Sequence, residues 1–213
     1  LPGEARFAAA RELFPAFCIG LQQLPPGRVA GEASFAAAKR LGFDFICLTG
    51  NPQTGGTNAA IASAVATARQ VMGDEILIIA GKMHGAGAAG EAGESLVSAA
   101  AIVSFIEAGA DVVVLPSPGT IPGITLEVCR ERVRTVHQHG ALALAATGTS
   151  QEGADEQTIR QIALYSKMAG ADLFHIGDAG YGGIAVPENI LQYSLVIRGR
   201  RHTYLRMARS ILR

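Results

Sequence analysis

Short continuous apolar runs recur along this chain at a nearly constant interval: Pro15–Leu21, Phe43–Leu48, Ile76–Ala80, Asp111–Leu115, Ala141–Ala146 and Asp172–Ile176. From Asp44 through Ile76, Asp111 and Ala141 to Asp172 the steps are 32, 35, 30 and 31 residues, the length of one strand-helix unit. A run such as Val112-Val113-Val114-Leu115 shows no polar alternation, which suits a parallel strand covered on both faces. Between the runs lie helical segments, among them Asn58–Val71, Leu96–Ala108, Glu127–Gln138 and Asp155–Met168. Strands alternating with helices at this period predict βαβ topology.

Three strands share one lead-in: Leu41-Gly42-Phe43-Asp44, Ala108-Gly109-Ala110-Asp111 and Ala169-Gly170-Ala171-Asp172. Each Gly is placed to close a helix in the left-handed conformation, and each Asp then stands at the N-terminal end of a strand. That end of a barrel serves stability, so the three Asp residues are read as structural. After the last strand, Pro187–Ile197 is predicted as a helix with Pro187 in its first turn, and Tyr204–Leu212 as a second helix beyond Gly199.

The pattern predicts an α/β chain forming the last six βα units of a (β/α)8 TIM barrel, as a single domain over residues 1–213 without a linker. Six strands are two short of closure. A start at Leu1 rather than Met agrees with an N-terminally incomplete barrel lacking roughly 60 upstream residues. Ala141–Ala146 and Asp172–Ile176 are then the seventh and eighth strands. An open doubly wound sheet is the alternative.

Composition narrows the partner. At 213 residues and 49% hydrophobic content the chain can bury a sizeable core. Lys+Arg and Asp+Glu both number 18, a formal net charge of +0, which leaves no basic surplus for nucleic acid or an anionic membrane. A small-molecule substrate is the expected partner, with a homo-oligomer possible. The arginines near the C-terminus (Arg198, Arg200, Arg201, Arg206, Arg209, Arg213) are read as a solvated or subunit-facing surface. Cys18, Cys47 and Cys129 are odd in number and far apart, so no disulfide framework is predicted; Cys47, inside an apolar run, is expected to be a buried thiol. That usage suits the cytoplasm. No apolar stretch approaches the ~20 residues of a membrane span.

Barrel chemistry sits where strands end. The second run leads into Leu48-Thr49-Gly50-Asn51-Pro52, where Asn51 is a candidate ligand contact, though a capped βα loop explains the same residues. The third ends in Gly81-Lys82-Met83-His84. Lys82 is suited to anchor an anion, move protons or form an imine, with His84 two residues on as its acid/base companion. Ser117, after the fourth run, is a candidate hydroxyl donor in a Pro- and Gly-rich loop. The fifth and sixth runs lead to Thr147-Gly148-Thr149-Ser150 and His175-Ile176-Gly177-Asp178-Ala179-Gly180-Tyr181-Gly182-Gly183. Hydroxyls of Thr149 and Ser150 with the amides of Gly177, Gly180, Gly182 and Gly183 are the predicted phosphate contacts, as in barrels whose last two loops hold phosphate. Asp178 would repel phosphate, so it is read as a general base or as a Mg²⁺ ligand. His175 fits either acid/base chemistry or a buried structural role. No His-x-His, H-E-x-x-H, G-x-S-x-G or P-loop pattern occurs.

Taken together, Leu48-Thr49-Gly50-Asn51-Pro52, Ala80-Gly81-Lys82-Met83-His84, Gly148-Thr149-Ser150-Gln151-Glu152, His175–Gly183 and Arg198-Gly199-Arg200-Arg201-His202-Thr203-Tyr204 resemble an uncharacterised bacterial TIM-barrel family. Its members are labelled haloacid dehalogenase-like hydrolase or phosphoenolpyruvate phosphonomutase-like. The resemblance, from about Pro26 onward, implies the barrel and the site location but no established reaction. Dehalogenase chemistry needs an Asp-x-Asp pair, and none occurs in this sequence. The expected activity is lyase, aldolase or isomerase chemistry on a small phosphorylated or carboxylated metabolite. Alternatives are a Mg²⁺-dependent mutase or isocitrate lyase-like enzyme with Asp178 and Asn51 at the metal, and a non-catalytic metabolite-binding barrel.

Overall fold

The computed structural model describes residues 18–20, 30–50, 56–83, 93–148, 151–177 and 185–209. Six strands and six helices alternate: β1 (Cys18–Gly20), α1 (Glu32–Leu41), β2 (Phe45–Thr49), α2 (Asn58–Met72), β3 (Leu77–Gly81), α3 (Ala99–Glu107), β4 (Val112–Pro116), α4 (Leu126–Gln138), β5 (Leu142–Thr147), α5 (Glu156–Ala169), β6 (Leu173–Ile176) and α6 (Pro187–Ala208). All five pairings are parallel and the spatial order is β1-β2-β3-β4-β5-β6. Sequential parallel order without reversal is that of a partial (β/α) barrel and differs from a doubly wound sheet, whose order reverses at a switch point.

The register assigns every strand residue to one of two faces. Ile46, Ile78, Val113 and Ala143 share one face with Leu48, Ala80 and Leu115, and all pack in one cluster with helix residues such as Phe35, Ile61, Val65, Phe105 and Val136. Full burial of each large apolar side chain here contributes roughly 1.5–3 kcal/mol. The alternate residues point away from the helices, and three of them at the N-terminal halves of their strands, Leu77, Leu142 and Leu173, are 53%, 48% and 38% exposed. Cys47 belongs to this second face and is half-buried, whereas the buried thiol is Cys129 on α4. Cys47 was expected to be buried, but strand alternation turns it from the helix layer. Burial pushes the Cys129 thiol up to about 11, against the pull of Arg132.

The lead-in residues behave as their motif predicts. Gly42 and Gly170 close α1 and α5 at φ 73° and 91°. Asp111 Oδ2 accepts the Ile78 amide of the neighbouring strand at 2.8 Å and the Arg69 guanidinium at 2.6 Å. Asp172 Oδ2 accepts the Ala143 amide at 2.8 Å and lies 2.8 Å from His137 Nε2. The two knots are built alike: an Asp before one strand holds the first residues of the strand beside it, together with a basic group near the end of a helix. Asp44 differs, since its Oδ2 is buried without a hydrogen-bond partner.

The C-terminal region is split at Gly199 as predicted: with φ 76° and ψ 166° this residue is not helical, and α6 consists of two helical arms, the second of which starts before the expected Tyr204 and is described as far as Ala208. Ser194 and Thr203 hydroxyls lie 3.0 Å apart, although nine residues of straight helix rise about 13.5 Å. Lys167 Nζ donates to the Ile197 carbonyl at 2.9 Å, satisfying an acceptor near the break. Segment Leu96–Ala108 is shorter than expected: α3 begins at Ala99, capped by the Ser98 hydroxyl, after a 3-10 turn at Gly93–Ser95.

The Asp172 knot carries a pH signature. Burial pushes its carboxyl up, but the Ala143 amide and the His137 ring outweigh that and hold it below the ordinary carboxylate value. A depressed folded-state value means stabilisation that is present above the unfolded value of about 3.9 and lost as pH falls through the folded one. Asp172→Ala is therefore expected to cost about 1–3 kcal/mol at neutral pH, with the gap to the wild type narrowing below about pH 4. Urea unfolding across pH measures this, and a gap independent of pH contradicts the assignment.

Candidate functional site at the strand C-termini

The polar residues gather at the end of the sheet opposite the Asp knots. β3 reaches this end through Gly81, where φ is 155° and a Cβ would stand 2.3 Å from the Val114 carbonyl oxygen. Only a glycine lets β3 and β4 approach so closely at this point. Lys82 follows at once and is 0% exposed. A wholly buried lysine is rare because desolvating an ammonium is costly, and here the cost is borne where a barrel carries its chemistry.

Beside it, the ends of β4 and β5 are joined by hydroxyls. Ser117 and Thr147 are both 0% exposed, and Thr147 Oγ1 lies 3.2 Å from Ser117 Oγ and 3.2 Å from Tyr193 Oη. Tyr193 on α6 donates to Ser166 Oγ on α5 at 3.3 Å, and Ser166 donates to the Ile162 carbonyl at 2.8 Å. A hydroxyl has one hydrogen, so Thr147 donates either to Ser117 or to Tyr193 at any one time, while Tyr193 and Ser166 carry the chain on to the Ile162 carbonyl. The Ser117 amide also donates to the Ala146 carbonyl at 2.9 Å, and its carbonyl accepts the Thr120 hydroxyl at 2.7 Å. Thr147 shares the helix-facing parity of Ala143 and Ala145, so this chain lies between sheet and helices.

His175 lies on the other face of the sheet, paired in register with Ala146 and, across β5, in line with Pro116. Gly177 follows β6, and its amide donates to the Thr147 carbonyl at 2.9 Å. A Cβ on Gly177 would lie 3.3 Å from Glu152 Cγ and 3.4 Å from its Cδ. The missing side chain therefore makes room for Glu152, whose Oε2 is buried with no hydrogen-bond partner. Asn189 holds the Glu152 backbone in place, its Nδ2 donating to the carbonyls of Glu152 and Ala154 at 2.9 and 3.0 Å. A buried carboxylate oxygen without a donor leaves an acceptor open to a bound molecule. Glu152 and the Tyr193–Thr147 link were not assigned from sequence. Their signals are faint: a glutamate two residues beyond Ser150, and a tyrosine within a helix.

At β2, the chain leaves the strand at Gly50 and meets itself at Gly56, where a Cβ on Gly50 would stand 2.7 Å from the Gly56 oxygen. Of the residues selected from sequence, Lys82, Ser117, His175 and Gly177 stand at this end of the sheet. Asn51, His84, Thr149, Ser150, Asp178, Gly180, Gly182 and Gly183 lie outside the described residues. Among the described residues no group of three or more His, Cys, Asp or Glu is placed to hold a metal ion. No helix among them is long and apolar enough to cross a membrane. A groove of about 470 Å³ beside Arg130, Arg134 and His137 lies by the Asp172 knot, at the opposite end, and is not part of this site.

Fold and site together define a partial (β/α) barrel with its buried polar groups at the strand C-termini. Solved structures agree on the fold. A deoxyribose phosphate aldolase from Aeropyrum pernix, described as a unique tetramer, is 17% identical over 92% of this chain and 77% of its own, with a TM-score of 0.58. A provisionally assigned lyase/mutase from Burkholderia cenocepacia J2315 is 15% identical over 91% of this chain and 71% of its own, with the same TM-score. An oxaloacetate acetylhydrolase in complex with 3,3-difluorooxalacetate is 15% identical, covering 86% of this chain, which spans 63% of it, again at 0.58. The chain itself belongs to the family described as a domain of unknown function, DUF7916, which matches residues 18–213. Comparison with curated protein sequences finds no match. The haloacid dehalogenase label has no support among these relatives.

Replacing Thr147 by Val keeps the shape and removes the hydroxyl shared by Ser117 and Tyr193. Leaving those buried groups unsatisfied is expected to cost about 1–3 kcal/mol, read as a lower urea midpoint at unchanged slope. An unchanged midpoint means that the hydroxyl chain contributes nothing.

Proposed function

We propose that this face binds a small phosphorylated or carboxylated carbonyl compound and carries out lyase, aldolase or isomerase chemistry on it. The observation that carries the reading is the complete burial of Lys82 immediately beyond Gly81, at the C-terminal end of a central strand. Lys39 and Lys167, the chain's other lysines, sit on helices and are exposed. Lys82 either polarises the substrate carbonyl as a cation or attacks it as an amine to form an imine with loss of water. Glu152 moves the proton, with His175 as a second acid/base candidate on the opposite face of the sheet.

The anionic group is assigned to the end of β5 and β6, where Gly148 and Gly177 lead into the segments that hold Thr149, Ser150, Gly180, Gly182 and Gly183. The names of the similar barrels, an aldolase of a sugar phosphate and an acetylhydrolase of a dicarboxylate, supply the same substrate classes. Phosphate or sulfate soaked into crystals is expected at this end, and reproducible binding at the Asp111 and Asp172 end would defeat the assignment.

The Lys82 role is tested by borohydride trapping with a panel of phosphorylated and carboxylated aldehydes and ketones, followed by peptide mass mapping. Imine chemistry adds mass at Lys82 in the wild type and nowhere in Lys82→Arg, whereas a purely electrostatic role leaves Lys82→Arg with part of the ligand affinity. Glu152→Gln is expected to lower turnover by about 10²-fold or more while binding persists. Folded Lys82→Ala with unaltered ligand binding and turnover would end the proposal.

A further inference from the structure

Exposed large apolar side chains fall into two main groups. Leu77, Leu142 and Leu173 line the sheet face turned from the helices, while Leu164, Tyr165, Met168, Val186, Ile190, Tyr204, Leu205 and Met207 all belong to α5, α6 or the residue before α6. These two helices are packed on one another through Tyr193, Ile159, Ile162 and Ala163, so the eight exposed apolar residues are concentrated on one pair of neighbouring helices. Such a concentration of exposed apolar side chains points to an interaction surface.

Charge on the same helices is sorted by position. Residues 1–188 hold 12 of the Lys and Arg and all 18 acids, a net of −6, whereas residues 189–213 hold six Arg and no acid, a net of +6. At the N-terminal ends of α5 and α6 stand Asp155, Glu156 and Glu188, all exposed and offset only by Arg160. Toward and beyond the bend come Lys167, Arg198, Arg200, Arg201, Arg206 and Arg209, also exposed. Arg198, His202, Arg206 and Arg209 line one groove of about 310 Å³ with Leu205. Arg198 is eleven residues from Pro187, about 16 Å along the helix.

We infer that the α5–α6 flank is the interface of a two-fold dimer of this chain, with the helices of the two copies antiparallel. An isologous contact must be complementary to itself. This flank is: antiparallel pairing sets the arginine end of each copy against the acidic end of the other, which brings Tyr204, Leu205 and Met207 of one copy toward Val186 and Ile190 of the other, with Leu164 and Tyr165 between the ends. The residue types are those enriched at interface cores, Arg, Tyr and Met, with lysine nearly absent. A parallel pairing would oppose arginine to arginine. A polyanion would have to engage the arginines beside the uncovered apolar residues and the acidic end, so a second copy is the better fit.

A charge swap tests the inference on the 213-residue chain by sedimentation velocity and native mass spectrometry. The wild type is expected to be dimeric at low ionic strength and to weaken as salt screens the charged ends. Replacing Arg198, Arg201, Arg206 and Arg209 by Glu makes both ends acidic, and Glu156→Lys with Glu188→Lys makes both basic. Each substituted chain alone is expected to have a dissociation constant raised about tenfold or more, and an equimolar mixture of the two to recover a heterodimer. Circular dichroism checks that they fold; if either does not, Leu164→Glu, at an exposed position between the charged ends, is expected to give a monomer. A monomeric wild type overturns the inference. So do swapped chains that dimerise as well as the wild type, which would place the contact elsewhere, including the face of Leu77 and Leu142.

Discussion

The carboxylates at the strand N-termini are the constraint on which the rest of the structure depends. Parallel strands contributed by separate βα units have no hairpin to set their register, and a slip of one residue would exchange the two faces of every strand. Asp111 and Asp172 bond a named amide on the neighbouring strand, Ile78 in one case and Ala143 in the other, which permits a single register. Arg69 extends the first knot by bonding the carbonyls of Gly73, Ile76 and Gly109 as well as Asp111. One side chain thus ties the end of α2, the start of β3 and the turn before β4.

Fixing one end of the sheet determines what the other end can hold. Because Ile78 is set against Asp111, Gly81 falls opposite Val114, the point where only a glycine fits, and Lys82 leaves the strand from a defined place. Because Ala143 is set against Asp172, Thr147 falls beside both Ser117 and the Gly177 amide. The buried polar groups of the C-terminal end are costly unless every hydrogen bond is made. The Ser117 and Thr147 hydroxyls are tolerable here because the register delivers their partners without further adjustment. The division agrees with the general behaviour of barrels, in which one end supplies stability and the other chemistry.

The strand-helix period and the Gly-x-Asp lead-ins were legible in sequence because both are local: burial on two faces demands continuous apolar runs, and a left-handed cap demands glycine. Strand limits from sequence agree with the structure within a residue or two for β2 to β6. What could not be read depends on contacts between distant residues. The helix break at Gly199 was legible, but the packing of the arm beyond it, with Thr203 brought against Ser194, was not. Ser117 was legible as a hydroxyl just beyond β4, but its link through Thr147 to Tyr193 on α6, 76 residues on, was not. Glu152 gains its character from the absence of a side chain at Gly177, which no local pattern around position 152 reveals.

Net charge shows the same division between what is additive and what is spatial. A total of +0 says correctly that the molecule as a whole has no long-range pull on a polyanion, since distant fields depend on the sum. At contact distance, with a screening length of about 8 Å at physiological ionic strength, the sum is irrelevant and only the local distribution acts. Placing all the positive surplus after residue 188 therefore leaves the solution behaviour of a neutral protein while giving one flank two oppositely charged ends. Helix electrostatics favours that sorting in any case, because acids suit helix N-termini and bases C-termini. What exceeds this ordinary preference is the absence of any acid in the last 25 residues and the apolar residues exposed among the arginines. Neither feature improves the helix, so both are better explained by something that docks against it.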